Sequence, residues 1–282
     1  MQTLAYADVR TAADRIGGRI RPVTVTPADP GDEPYTLHLA LELMQHTGSF
    51  KARGAQNFSS PTGRRAPSRP PESPSPPAAT PACACACAWA ARRQGVRAAV
   101  FLPTTAPRVE VDKLRGHDAD VRLVGTEYAE ALAACEAFAA DSGALASHAY
   151  DHLLIAAGAG TLLDEIHRRI PDLDAALRAG HPVDVTVDSV AADFLGARRT
   201  SALAVNTARH QDVHSVLVTD ADIVRARRTL WDDRRLAVEH AATTPTDGRP
   251  ATGCRPAPGE KICVVLCGAD TDPTDLTRPP AK

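Results

Sequence analysis

Between residues 96 and 170, short apolar runs alternate with stretches of helical spacing. Residues 96–102 form an apolar run stopped by Pro103. Residues 109–114 have helical spacing, and residues 120–124 alternate apolar with polar. Residues 128–140 put Leu132, Cys135, Phe138 and Ala139 on one helical face, and residues 145–149 form a third short strand. Residues 158–170 put Leu162, Leu163 and Ile166 on one face before the stop at Pro171. Strands separated by helices do not pair through tight hairpins. They cross over through those helices, which gives a parallel sheet with helices on its faces. Later in the chain, residues 213–218 predict a strand, and Asp220 caps a helix through Ile223, Val224 and Leu230. Residues 261–267 (KICVVLC) predict a buried strand turned at Gly268. The fold class expected is α/β.

Composition removes several classes of function. A formal net charge of -2 over 282 residues leaves no global charge footprint for nucleic acid or for an anionic membrane surface. No run reaches the roughly 18 apolar residues that a membrane span needs. The N-terminus has no basic stretch followed by an apolar block, so the expected location is cytoplasmic and the seven cysteines are expected to be reduced thiols. The chain has 23 Pro against 18 Gly, and eight of those prolines fall between Pro61 and Pro81. Proline removes backbone donors and turns the preceding residue away from helix, so residues 59–88 read as an irregular segment. Cys83, Cys85 and Cys87 alternate with alanine inside it. Structural zinc sites space paired cysteines by two to four residues, so low complexity is the reading and no metal is expected. Arg225, Arg227, Arg228, Arg234 and Arg235 lie among Asp222, Asp232 and Asp233 and read as a solvated, salt-bridged helix face.

The stretch with most chemical content is residues 42–57, ELMQHTGSFKARGAQN. Lys51 follows Thr47, Gly48, Ser49 and Phe50. Small residues before an apolar segment can seat an amine in a dry pocket at the start of a helix. An amine that loses hydration there becomes nucleophilic toward a carbonyl. The residues alone fit a solvated lysine at a helix N-terminus as well, and both readings stand at this point.

Residues 42–55, with Thr47-Gly48-Ser49-Phe50-Lys51-Ala52-Arg53-Gly54-Ala55, resemble the cofactor attachment site of serine/threonine dehydratases (threonine ammonia-lyases), enzymes of fold type II that use pyridoxal 5′-phosphate. The similarity continues through Phe101-Leu102-Pro103, Ala106-Pro107 and Lys113-Leu114, then Gly158-Ala159-Gly160-Thr161 with Glu165-Ile166, and residues 264–272 (VVLCGADTD). The resemblance implies that Lys51 attaches the cofactor and then removes the substrate α-proton. It implies that Phe50, Cys267 and Glu239 line the cofactor and that Ser49 meets the substrate. Cys267 matches the residue that faces the pyridine nitrogen; taken by itself it is equally a buried structural thiol. The implied reaction turns L-threonine or L-serine into 2-oxobutanoate or pyruvate plus ammonia. The implied partners are an amino-acid substrate and further copies of the chain, with no nucleic acid and no membrane. The implied architecture has a large domain of residues 1–50 and 150–282 and a small α/β domain of residues 51–149.

Two of the family's loops are missing. No Gly-Gly-Asn follows Lys51, where the proline-rich segment stands instead, and no glycine run follows residue 171. The large domain is therefore expected to be incomplete, and the alternative to an active enzyme is a degenerate homologue without catalysis. Pattern lost at residue 61 and regained near residue 88, with Pro and Arg enriched between, is what an out-of-frame stretch of a GC-rich gene gives. Resequencing the gene tests this: a corrected frame that restores Gly-Gly-Asn supports it, and an unchanged frame removes it.

Overall fold

Ala98–Leu102 is buried at every residue, which a strand can be only when both faces of its sheet are covered. In the computed structural model, residues 4–28, 34–60, 73–75, 81–144, 152–169, 218–243 and 257–277 are described. Their order is α1 (Tyr6–Ile16), β1 (Val25–Pro27), β2 (Thr36–Ala40), α2 (Lys51–Ser59), β3 (Ser73–Ser75), α3 (Pro81–Arg93), β4 (Ala98–Leu102), α4 (Arg108–Gly116), β5 (Asp120–Leu123), α5 (Tyr128–Ser142), α6 (Leu153–Arg169), α7 (Asp220–Arg234), β6 (Lys261–Val265) and α8 (Thr274–Thr277). The strand expected at 145–149 lies outside the described residues, as does that at 213–218 apart from Val218, which is in no strand. No described helix is long and apolar enough to cross a membrane.

The chain divides into two compact units. The first takes Met1–Arg21 and Lys51–Thr161, and the second takes Pro22–Phe50 and the described residues from Leu162 on. The units and the expected domains share the break after Phe50. They differ at residues 1–21 and 150–161, which group with the middle of the chain.

In the first unit, β3, β4 and β5 pair in that order, all parallel. The period of two along β4 divides its side chains between two layers. Ala98, Val100 and Leu102 pack with Ala84, Cys85, Ala88 and Ala91 of α3 and with Val111 and Leu114 of α4. Ala99 and Phe101 pack on the other face with Ala131 and Cys135 of α5. This is the covered parallel sheet that the alternation of elements predicts.

The irregular segment expected over 59–88 needs correction at three places: Ser59 ends α2, Ser73–Ser75 is strand β3 paired to β4, and residues 81–88 are the first turns of α3. Alanine is the best helix former, and Pro81 opens the helix at the position where its missing N–H costs nothing. Ala86, Trp89 and Ala90 press against Ala52 and Ala55 of α2, where small side chains allow a close approach. Cys83 and Cys85 are buried rather than displayed in a solvated tract.

In the second unit the sheet order is β1-β2-β6, with β1 antiparallel and β6 parallel to β2. Leu162 and Ile166 of α6 cover one face with Val23, Ala40, Cys263 and Val265. Burial pushes the Cys263 thiol up to about 11, so it sits there as a neutral apolar filler. Leu230 of α7, Val238 and Ala242 cover the other face with Leu39 and Leu266.

The cap expected at Asp220 is corrected by one residue. Thr219 is the N-cap of α7, its Oγ1 accepting the Asp222 N–H at 3.2 Å, and Asp220 is the first helical residue. The solvated, salt-bridged face expected for the arginines of α7 holds at Arg225, which is exposed and paired with Asp222, and is corrected at Arg227. Arg227 is 2% exposed. Its Nε donates to the Val238 carbonyl at 2.7 Å, and its terminal nitrogens donate to Thr271 Oγ1, the Asp272 carbonyl and the Asp275 carboxylate. The hydrogen bond from Arg227 holds the Asp275 carboxyl below the usual carboxylate range. A carboxyl with a lowered folded pKa stabilises the fold above its unfolded value, near 3.9, and that contribution disappears as pH falls through the lower folded value. Asp275→Asn is therefore expected to reduce the loss of stability as pH falls below about 4. Acid unfolding curves of the two proteins check this.

Candidate active site

Residues 41–51 form a turn built on strained backbone. Glu42–Met44 and His46–Gly48 are single 3₁₀ turns. Thr47 has φ 61° and Gly48 has φ 70°, both in the left-handed region. A β-branched residue there costs about 1–3 kcal/mol, and such strain gathers at functional turns. The reversal returns Ser49 to extended backbone, with φ -157° and ψ 148°. Ser49 then pairs with Gly268, just past β6. The Phe50 N–H donates to the Cys267 carbonyl at 3.1 Å, and the Ala269 N–H donates to the Gly48 carbonyl at 2.9 Å. The next residue, Lys51, opens α2.

Four of the five residues expected at the site are thereby brought together in the second unit. Ser49 is fully buried. Phe50 ties its amide to Cys267 and packs its ring with Val23, Ala40, Leu162 and Ile166. Cys267 follows β6 and packs beside Leu39, Val238 and Leu266. Glu239 is 1% exposed, its N–H donates to the Gly268 carbonyl at 3.1 Å, and its Oε2 accepts the Asp270 N–H at 3.3 Å. Lys51, the fifth, stands one peptide bond past Phe50 and belongs to the first unit.

Helix α2, which carries Lys51, is held along its length within the first unit. Asn57 is fully buried, accepts from Arg15 at 2.7 Å and donates to the Leu154 carbonyl at 2.7 Å. Arg53 is fully buried, and its guanidinium donates to Thr161 Oγ1 at 3.3 Å. Gly54 and Gly158 let α2 and α6 meet backbone to backbone: a Cβ on Gly158 would lie 2.6 Å from the Arg53 carbonyl oxygen and 2.8 Å from the Gly54 Cα.

Gly268 has a similar constraint at the other end of the site. A Cβ there would lie 2.6 Å from Glu239 Cδ, and the buried Glu239 side chain has no solvent to retreat into. Gly268→Ala is expected to cost about 1–3 kcal/mol through overpacking, and Glu239→Ala in the same chain should recover most of it. Denaturant midpoints of the single and double variants measure the recovery.

Sequence reading missed Thr47 and Arg227. Thr47 Oγ1 is buried with no hydrogen-bond partner among the described residues. Its only sequence signal was its place in the small-polar trio. Arg227 gave a signal of the wrong kind, since charged neighbours at helical spacing suggest solvent. The resemblance-based expectation of a missing glycine run falls on residues outside those described, and the only adjacent glycines in the sequence are Gly17 and Gly18.

Residues 22–177 match the family described as "Pyridoxal-phosphate dependent enzyme". An L-threonine ammonia-lyase of Geobacter sulfurreducens is 26% identical over 311 aligned positions, covering 95% of this chain and 76% of that protein. A human protein described as serine dehydratase-like is 25% identical, covering 83% of this chain and 85% of that one. The solved structure of maize serine racemase superposes with a TM-score of 0.83 at 18% identity, over 98% of this chain and 96% of that chain, a likeness of fold.

Proposed function

The chain belongs to the family of pyridoxal-phosphate dependent enzymes, and from that membership we propose that it is a dehydratase of L-threonine or L-serine. Its cofactor is pyridoxal 5′-phosphate. One observation supports a fit to that group. Thr47 Oγ1 is a buried polar atom with no partner among the described residues, in the turn that leads to Lys51. Lys51 would attach the cofactor, and Phe50, Cys267 and Glu239 would line it. When bound, the cofactor supplies the electron sink for the bond broken at the substrate α-carbon.

The remaining steps fall to the chain's own residues. Lys51 Nζ takes the proton from the substrate α-carbon, a role that needs an amine able to cycle between charged and neutral forms. Loss of the β-hydroxyl as water, followed by hydrolysis, gives 2-oxobutanoate or pyruvate with ammonia. Cys267 would line the cofactor with a thiol instead of a carboxylate, and a side chain that is not an acid there would suit elimination. Ser49 would bind the substrate, with its backbone already fixed by Gly268.

The observation that carries this reading is the join of the Gly48–Phe50 backbone to Cys267, Gly268 and Ala269. It fastens the residues before the attachment lysine to the end of β6, where the thiol stands. The test is keto-acid formation from L-threonine and L-serine by the purified chain supplied with cofactor. Keto acid in either reaction supports the proposal, and its absence in both overturns it. A second reading is a homologue that keeps the fold and Lys51 without turnover. It is favoured by the absence of a Gly-Gly-Asn loop and of any glycine run after residue 18. Under that reading cofactor still attaches, and neither amino acid is consumed.

A further inference from the structure

We propose that Arg227 is a positioning residue for this site, a role that rests on the reading of Cys267 and Glu239 as cofactor-lining residues. The guanidinium is buried and spends its donors on two chain segments far apart in sequence. On one side Nε holds the carbonyl of Val238, the residue before Glu239. On the other side the terminal nitrogens hold Thr271 Oγ1, the Asp272 carbonyl and the Asp275 carboxylate, just after the Cys267–Asp270 turn. Between these anchors, the two segments touch where the Glu239 N–H meets the Gly268 carbonyl and the Asp270 N–H meets Glu239 Oε2. One planar fork thus fixes the spacing of the Glu239 carboxylate and the turn that starts at Cys267. An ammonium cannot reproduce that fork, because it lacks the rigid set of diverging donors.

Within the turn the Thr271 N–H donates to the Ala269 carbonyl at 2.9 Å, and the other bonds of its backbone, among the described residues, go to other segments. The Ala269 N–H and the Asp270 N–H reach out to Gly48 and Glu239, so the local backbone depends on segments that must themselves be held in place. Arg227 supplies that hold for the Glu239 segment, through the Val238 carbonyl, and for the chain that follows the turn, through Thr271, Asp272 and Asp275.

The test compares amide hydrogen exchange in the wild-type chain and in Arg227→Lys. Exchange at Ala269 and Asp270 is expected to be at least about tenfold faster in the variant, the factor that one lost charge-assisted bond allows. Exchange in β2 and β6 is expected to stay within about twofold, because the sheet of the second unit keeps its own ladder. Equal acceleration across β2, β6 and the turn would mean a general loss of stability and would overturn the proposal, as would no change at the turn. For a variant that does not fold, Asp275→Ala removes only a half-exposed anchor and should give a smaller rise with the same local pattern; no rise there overturns the proposal as well. Absorbance of added cofactor is read on the same samples, and the variant is expected to bind it at least about tenfold more weakly. Absence of the cofactor band in the wild type would count against the proposed function, while the exchange pattern still decides the role of Arg227.

Discussion

Lys51→Ala is expected to abolish the yellow absorbance of the cofactor-loaded protein and to lower keto-acid formation by at least about 10³-fold. The size follows from two losses at one atom. The ε-amino group is the attachment point, and it is also the base that removes the α-proton. General base catalysis alone is worth on the order of 10²–10⁴-fold. Stability should hardly change, because Lys51 is the first residue of α2 and the buried part of that helix begins at Ala52. A variant that keeps both the absorbance and the rate would remove Lys51 from the mechanism. A variant that unfolds would show that the lysine matters to packing instead.

Gly158→Ala is expected to have the largest effect on stability. A single methyl would meet the Arg53 carbonyl at 2.6 Å and both Gly54 Cα and Asn57 Cβ at 2.8 Å. Two of those three atoms belong to the helix backbone and cannot rotate away. Either α2 or α6 must shift, and overpacking of this kind costs about 1–3 kcal/mol or more. Displacing α2 disturbs the helix that opens with Lys51, so cofactor uptake should fall along with the denaturant midpoint. Ala159→Ser, at the half-buried next position of α6, serves as the control. A Gly158→Ala protein with unchanged midpoint would mean that the two helices do not meet as closely as described.

The parts of the fold that could be read from sequence are those set by local pattern. The apolar run in residues 96–102 predicts a strand, and β4 is that strand, buried on both faces. The apolar spacing of Leu162 and Ile166 dictates a buried helix face, and both residues lie in the core beside Ala40. Composition misled at residues 81–88, because alanine alternating with cysteine looks like low complexity, yet it supplies the small side chains that α3 needs against α2. Charge misled at Arg227, because a fork that satisfies distant carbonyls leaves no local periodic trace. The site itself was legible through the resemblance around Lys51 and not through spacing. Nothing local in residues 47–50 announces that their backbone will bond to residues 267–269. The strain at Thr47 is invisible for the same reason: threonine carries no preference for a left-handed turn, and the tertiary join to Gly268 imposes it.

The central claim is that the family's cofactor is carried on Lys51. The chain has only four lysines, Lys51, Lys113, Lys261 and Lys282, so the claim can be tested by location. The protein is loaded with pyridoxal 5′-phosphate, reduced with borohydride to make the attachment permanent, digested, and the modified lysine is found by peptide mass. The account predicts one modified lysine per chain, at Lys51, with the modification lost in Lys51→Ala. No modification, or modification spread over Lys113, Lys261 and Lys282 without preference for Lys51, would contradict it.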